Sequence, residues 1–253
     1  MGERTSGFAG RMRAGERLVG TFLKTPAIEV VEVLAMSGLD CLCLDAEHAP
    51  FGRRELDACL AMGRALDLPL LVRVGAGTPD AVLQALDSGA VGVIVPHVDS
   101  PAKAEAVARA ARFGVGGRGY AGSTRWAGFA TRGMPDVLAQ DAETVVIAQI
   151  EEPAGVDAVG EIAAVPGIDA LFVGPADLAV GYGVPVASPE VDAAYEATGR
   201  ACAAAGIAMW TWVADEHAAG ARAAQGVTGF LAASEHAWML AGARAAAAAV
   251  RGA

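Results

Sequence analysis

The stretch Cys41-Leu42-Cys43-Leu44-Asp45-Ala46-Glu47-His48-Ala49-Pro50 begins as a buried strand and then breaks into two carboxylates and a histidine. An unbroken apolar run suits a parallel strand covered on both faces. Asp45, Glu47 and His48 do not suit a core, because a buried polar group needs a hydrogen-bond partner or water. The stretch therefore reads as a strand that opens at its C-terminal end. If it opens into a pocket, Asp45 can orient His48, and a histidine so held moves protons near neutral pH. If it opens into solvent, the same letters need no function.

The pattern repeats along the chain. Apolar runs at 18–23, 40–45, 69–74, 91–95, 144–150, 169–173, 207–213 and 228–232 alternate with helical patterns. The helical patterns cover 27–36, 53–66, 79–87, 101–112, 153–164, 189–205 and 215–225, and residues 235–250 close the chain. Pro79, Pro101, Pro153 and Pro189 stand at helix starts, where a missing N–H costs nothing. Eight such units predict one α/β domain over residues 1–253, a (β/α)8 TIM barrel; a doubly wound open sheet, the alternative, usually has fewer repeats. In a barrel the chemistry belongs at the C-terminal ends of the strands. Those ends carry Asp45, Glu47 and His48, then Arg73, then Gln149 and Glu151, then Gly174-Pro175-Ala176-Asp177.

With 253 residues, 54% of them hydrophobic and 19% charged, the chain can fill one large core. A net charge of −10 argues against a nucleic-acid groove, which wants clustered Lys and Arg. There is no apolar signal core and no 18-residue apolar span, so a cytoplasmic protein with no membrane partner is expected. Cys41, Cys43, Cys59 and Cys202 form no C-x-x-C pair and read as small buried residues in a reducing compartment.

Glu151 and Asp177 lie 26 residues apart, one βαβ step, so their side chains could meet at neighbouring strand ends. Two carboxylates there would suit a hard divalent ion such as Mg²⁺ or Mn²⁺. They could instead cap the helix at Pro153 and the turn after Pro175. Arg73 on an apolar strand needs an anion, either a ligand at the mouth or Glu151 or Glu47 within the chain. The helix start at residues 174–177 offers free N–H groups to a carboxylate or phosphate, and the small Ala176 permits close approach.

Asp45-Ala46-Glu47-His48-Ala49-Pro50, Val72-Arg73-Val74, Gln149-Ile150-Glu151 and Gly174-Pro175-Ala176-Asp177-Leu178, in this order and spacing, resemble the HpcH/HpaI aldolase family over residues 15–235. The resemblance implies a divalent metal (Mg²⁺, Mn²⁺ or Co²⁺) held by Glu151 and Asp177. It also implies a pyruvate or hydroxypyruvate donor whose enolate adds to an aldehyde. Arg73 would contact the keto oxygen, Gln149 would line the metal site, and Gly174, Pro175, Ala176 and Asp177 would cradle the carboxylate. His48, oriented by Asp45, would move the proton, and Asp87 would support the histidine. A homohexamer, a trimer of dimers exchanging the helix at 235–250, is implied too. Competing readings are an acyl-CoA lyase like the citrate lyase β relatives, for which basic residues for the CoA phosphates are not evident, and a silent barrel used for binding.

Other features carry less. Gly114-Val115-Gly116-Gly117-Arg118-Gly119 matches G-x-G-x-x-G but follows a helix rather than a strand, which the dinucleotide reading does not allow. Residues 113–135 read as a long loop expected to sit above strand four, closing over substrate or reaching a neighbouring subunit. His97 is either a supporting group or a satisfied histidine. Trp210 and Trp212 are bulkier than the aliphatic residues of relatives and serve either packing or pocket shape. Ala233-Ser234-Glu235-His236 departs from the small residue and Asp common after strand eight. Of the two lysines, only Lys24 stands near a strand exit, where it would form an imine, bind a substrate carboxylate or pair with a rim acid.

Overall fold

All eight expected strands form, and they close. The computed structural model describes residues 2–252, with parallel strands β1 (Leu18–Leu23), β2 (Cys41–Asp45), β3 (Leu70–Arg73), β4 (Gly92–Val95), β5 (Val145–Ile150), β6 (Ala170–Val173), β7 (Ala208–Val213) and β8 (Gly229–Ser234). They pair in chain order, and β8 pairs back onto β1. The apolar runs are continuous because each strand feeds two cores. Leu42 and Leu44 join the shell between strands and helices, whereas Cys41 and Cys43 point into the barrel with Leu71, Ile94 and Phe172. That is the two-residue side-chain period of a strand covered on both faces.

The helices follow the expected bounds within a residue or two, with one exception. The pattern at 153–164 is broken at Ala158 into Pro153–Asp157 and Val159–Ala163. An N-terminal helix, Glu3–Arg13, was not anticipated. It buries Thr5, Phe8, Ala9 and Met12, the spacing of one helical face, and its apolar residues join the barrel interior. Its place is at the strand starts, where it plugs the N-terminal end of the barrel. Phe8 meets the edge of Trp210 with ring centroids 6.2 Å apart. Trp210 is fully buried and lies against Gly229, where an added Cβ would come within 2.0 Å of the indole. Its role is packing, while Trp212 reaches the mouth.

Residues 113–135 do not close over the mouth of their own barrel. They leave the C-terminus of helix Pro101–Ala111 and run over the outer flank of the barrel, away from the mouth. The N–H of Trp126 donates to the Asp87 carbonyl, Arg64 donates to the Arg125 carbonyl, and Arg125 pairs with Asp57 at 2.7 Å. Trp126 and Ala127 bury themselves against Val137, on the short helix Met134–Ala139. The physical reason is connectivity: the segment follows a helix, and an αβ connection returns to the strand starts rather than crossing the strand exits.

The last helix, Glu235–Gly252, projects from the barrel with only Glu235 buried. Trp238, Met239 and Leu240 are exposed. Among the described residues, no helix is long and apolar enough to cross a membrane.

Candidate active site

Strand exits β1, β2, β3, β5, β6, β7 and β8 surround a cavity of about 430 Å³. Its walls include Phe22, Lys24, His48, Arg73, Gln149, residues 174–177, Trp212 and Ser234. Except for Asp87, the expected site residues therefore line this cavity or stand directly behind its wall.

Behind the wall, Asp45 is the hub. It is fully buried and accepts hydrogen bonds from Arg73 Nε at 3.0 Å and Nη2 at 2.8 Å, and from Lys24 Nζ at 2.5 Å. The backbone N–H groups of Glu47 and His48 also donate to it, at 3.3 and 3.1 Å. Burial pushes its carboxyl up, but the Arg73 guanidinium and Lys24 ammonium outweigh this and bring it down to about 2 from its ordinary 3.8. Asp45 thus fixes the loop bearing His48 through the backbone. The expected side-chain pair between Asp45 and the His48 ring is not formed: the ring is more than half exposed at the cavity, 3.6 Å from Glu47. Lys24 likewise chose Asp45 as its rim acid. Arg73 chose Asp45 over the expected internal partners, with Glu47 second at 3.3 Å.

The sign of the Asp45 shift gives a test. A depressed folded-state pKa contributes stability that is present above about pH 4 and is lost as pH falls toward 2. Asp45→Asn leaves Arg73 and Lys24 without their anion, a loss expected to cost about 3–5 kcal/mol at neutral pH. Urea unfolding should find the gap between wild type and Asp45→Asn narrowing by about 2 kcal/mol between pH 5 and pH 2. A gap independent of pH would mean that Asp45 is not an anion in the folded chain.

A second group stands beside Gln149. Glu47, His97 and Glu151 each bring one ligand-type atom within 4.8 Å of the others. Their convergence has a local cause. His97 has φ 56°, a left-handed backbone uncommon outside glycine, and this turns its N–H onto Glu151 Oε1 at 2.7 Å. Its ring Nδ1 faces Glu152 at 2.8 Å, and burial's pull downward is overcome by Glu152, Glu151 and Glu47, so the imidazole is raised. Glu151 Oε2 accepts from the Gln149 side-chain amide. Gly174 makes room for this carboxylate, since a Cβ there would lie 2.8 Å from the Glu151 Cβ.

Two buried acceptors in this corner accept no hydrogen bond: Glu47 Oε2, which has its ion pair with Arg73 at 3.3 Å, and Gln149 Oε1. Burial pushes the Glu47 carboxyl up despite Arg73. Orphaned oxygens beside a buried carboxylate fit a divalent ion and its waters, and an oxygen set with one imidazole suits hard to borderline metals. Asp177 is exposed in the first turn of helix Pro175–Tyr182, lines the cavity, and is not one of the three clustered residues.

Asp87 is placed elsewhere. At the C-terminus of helix Pro79–Asp87 it accepts from Arg118 Nη2 at 2.6 Å and Nε at 3.1 Å, so within the chain it does not support His48. The reason is again direction, since that helix end lies at the strand starts. Lys24 with Asp45 and His97 with Glu151 are the pairs that sequence reasoning left open.

The HpcH/HpaI aldolase/citrate lyase family profile matches residues 18–241. A hydroxypyruvate/pyruvate aldolase of Roseovarius nubinhibens is 37% identical over 183 residues, covering 71% of this chain and 70% of that protein. A 4-hydroxy-2-oxovalerate aldolase of Novosphingobium aromaticivorans is 37% identical over 204 residues, 78% of this chain and 74% of its own length. The crystal structure of an HpcH/HpaI aldolase/citrate lyase family protein from Burkholderia cenocepacia superimposes with a TM-score of 0.92 at 36% identity, covering 98% of this chain and all of that one. Barrel, strand-exit residues and relatives agree, and the chain belongs to the HpcH/HpaI aldolase/citrate lyase family.

Proposed function

We propose that the protein makes and cleaves 4-hydroxy-2-oxo acids, using pyruvate or hydroxypyruvate as donor, an aldehyde as acceptor and a divalent ion, Mg²⁺, Mn²⁺ or Co²⁺. The observation that carries this reading is one cavity whose wall joins His48, Arg73, Gln149 and residues 174–177, with Glu151 directly behind Gln149. The named activities of the relatives support the donor class.

Glu151 and Asp177 would hold the ion, with Glu47 and His97 beside them. When bound, the ion supplies positive charge where the donor's keto oxygen gains electron density. Arg73 gives Nε and Nη2 to Asp45, which leaves Nη1 as a second donor to that oxygen. The N–H groups of Ala176 and Asp177 open the helix behind Pro175 and receive the donor carboxylate. His48 takes a proton from the donor's C3 and returns it in cleavage, its loop held by Asp45. Phe22, Phe172 and Trp212 exclude water from the reacting carbons.

The assembly we infer is a homo-oligomer, with the hexamer of the family resemblance as its form. Support comes from the projecting helix Glu235–Gly252 and from an open groove of about 500 Å³ between β8 and helix Glu216–Ala224, where Phe230, Ala232 and Trp238 lie.

An imine route needs a free amine, and Lys24 is engaged by Asp45. Borohydride with pyruvate should leave activity intact, whereas a chelator should remove it and added Mn²⁺ restore it. A reduced pyruvyl adduct on Lys24, with activity surviving chelation, would overturn the metal reading.

A further inference from the structure

We propose that His97 completes the ion site at Glu151 with a nitrogen ligand, and that this nitrogen makes the site prefer a borderline ion, Co²⁺ or Zn²⁺, to Mg²⁺. The inference rests on the metal-dependent aldolase reading and adds to it the class of ion. His97 stands in the turn after β4, and two successive N–H groups clamp that turn to the β5 exit. The His97 N–H donates to Glu151 Oε1 at 2.7 Å, and the Val98 N–H donates to the Gln149 carbonyl at 3.2 Å. The left-handed backbone at His97 is costly for a residue other than glycine, and strain of this kind collects where a side chain is aimed at a ligand.

The ring is held as a ligating imidazole is held. Nδ1 faces Glu152 Oε1 at 2.8 Å, and a carboxylate only accepts, so in the neutral ring Nδ1 carries the proton and Nε2 keeps its lone pair. A carboxylate behind one ring nitrogen is the usual support of a histidine whose other nitrogen binds a metal. Nε2 lies 3.6 Å from Glu47 Oε1. That is too long for a hydrogen bond and close to the span between two ligands each about 2.1 Å from one ion. The charges agree. Lys24 pairs with Asp45, and Arg73 with Asp45 and Glu47, whereas Glu151 and Glu152 have no lysine or arginine partner among the described residues. A protonated ring would set one positive charge against those two, and a divalent ion sets both. Glu151 is 3% exposed, and a carboxylate so buried needs a cation. Beside it Gln149, 2% exposed, keeps Oε1 without a donor. An imidazole among carboxylate oxygens moves a site's preference from hard ions toward Co²⁺ and Zn²⁺.

The test reads binding rather than turnover. With Mn²⁺ as the probe, pulsed EPR of the wild-type protein should show hyperfine coupling to an imidazole nitrogen, and calorimetry should find Co²⁺ and Zn²⁺ bound more tightly than Mg²⁺. Glu152→Ala leaves the ring without its carboxylate and should weaken Co²⁺ binding roughly 10- to 100-fold. His97→Asn keeps a residue type that tolerates the left-handed backbone. It should abolish the coupling and weaken Co²⁺ at least as much, with Mg²⁺ affinity near wild type. A wild-type spectrum without nitrogen coupling would overturn the proposal before any variant is made. Equal losses of Co²⁺ and Mg²⁺ affinity in His97→Asn would overturn it too, leaving the residue a brace for Glu151. Deuterium uptake at the pyruvate methyl, measured with Mn²⁺ and no aldehyde, separates the two levels. Uptake without nitrogen coupling defeats only the role of His97, whereas coupling without uptake defeats only the aldolase reading.

Discussion

Glu151→Gln should bind Mn²⁺ weakly and turn over about 10³-fold or more slowly, while still folding to the same barrel. The side chain is buried, with one carboxylate oxygen held by the His97 N–H and the other by the Gln149 amide. Glutamine keeps the volume but removes the charge, and it sets an N–H₂ against one of two donors. A bound ion contributes several kcal/mol of charge stabilisation to such a reaction. A loss of about 4 kcal/mol corresponds to about 10³ in rate. Calorimetric titration with Mn²⁺ and single-turnover cleavage measure the two effects separately. Wild-type affinity in Glu151→Gln would remove Glu151 from the ligand set. Asp177→Asn should behave alike, and normal Mn²⁺ affinity there would leave the ion to Glu47, His97 and Glu151.

His48→Ala separates proton transfer from metal binding. The ring lies at the cavity and is more than half exposed, so its removal opens no core. Positioned acid–base groups contribute about 10²–10⁴-fold, and deuterium uptake at the pyruvate methyl should slow by that factor. Affinity for Mn²⁺ should change little, because His48 is not one of the three clustered residues. Exchange at the wild-type rate would take His48 out of the reaction.

The barrel was legible because its signal is repeated: eight apolar runs, prolines at helix starts, and polar residues at strand ends each say the same thing. The site was legible where strand order alone decides it, as for His48, Arg73, Gln149 and residues 174–177. Pairings were harder. Lys24, Arg73 and Asp45 lie on three successive strand exits, and several acids compete there for two cations; only atomic distances decide between them. The backbone of His97 could not be read, since positive φ at a histidine has no marker in Pro96-His97-Val98. Within one chain, direction separates Asp87 and residues 113–135 from the mouth. Each was linked by motif or length to the mouth, and each follows a helix toward the strand starts. The N-terminal helix carries its signal in Thr5, Phe8, Ala9 and Met12, but lies outside the eightfold repeat.

The contact of Trp210 with Gly229 has an evolutionary corollary. The indole occupies space that a side chain on β8 would otherwise claim, and Phe8 of the plugging helix leans on it from below. Neither position can therefore drift alone. Alanine at 229 evicts the indole, and a smaller residue at 210 leaves a void that glycine cannot fill. A descendant lineage would have to exchange the pair together or pass through a poorly folded ancestor. Positions 210 and 229 should consequently behave as one inherited character, constrained independently of any selection on the chemistry at the far end of the barrel.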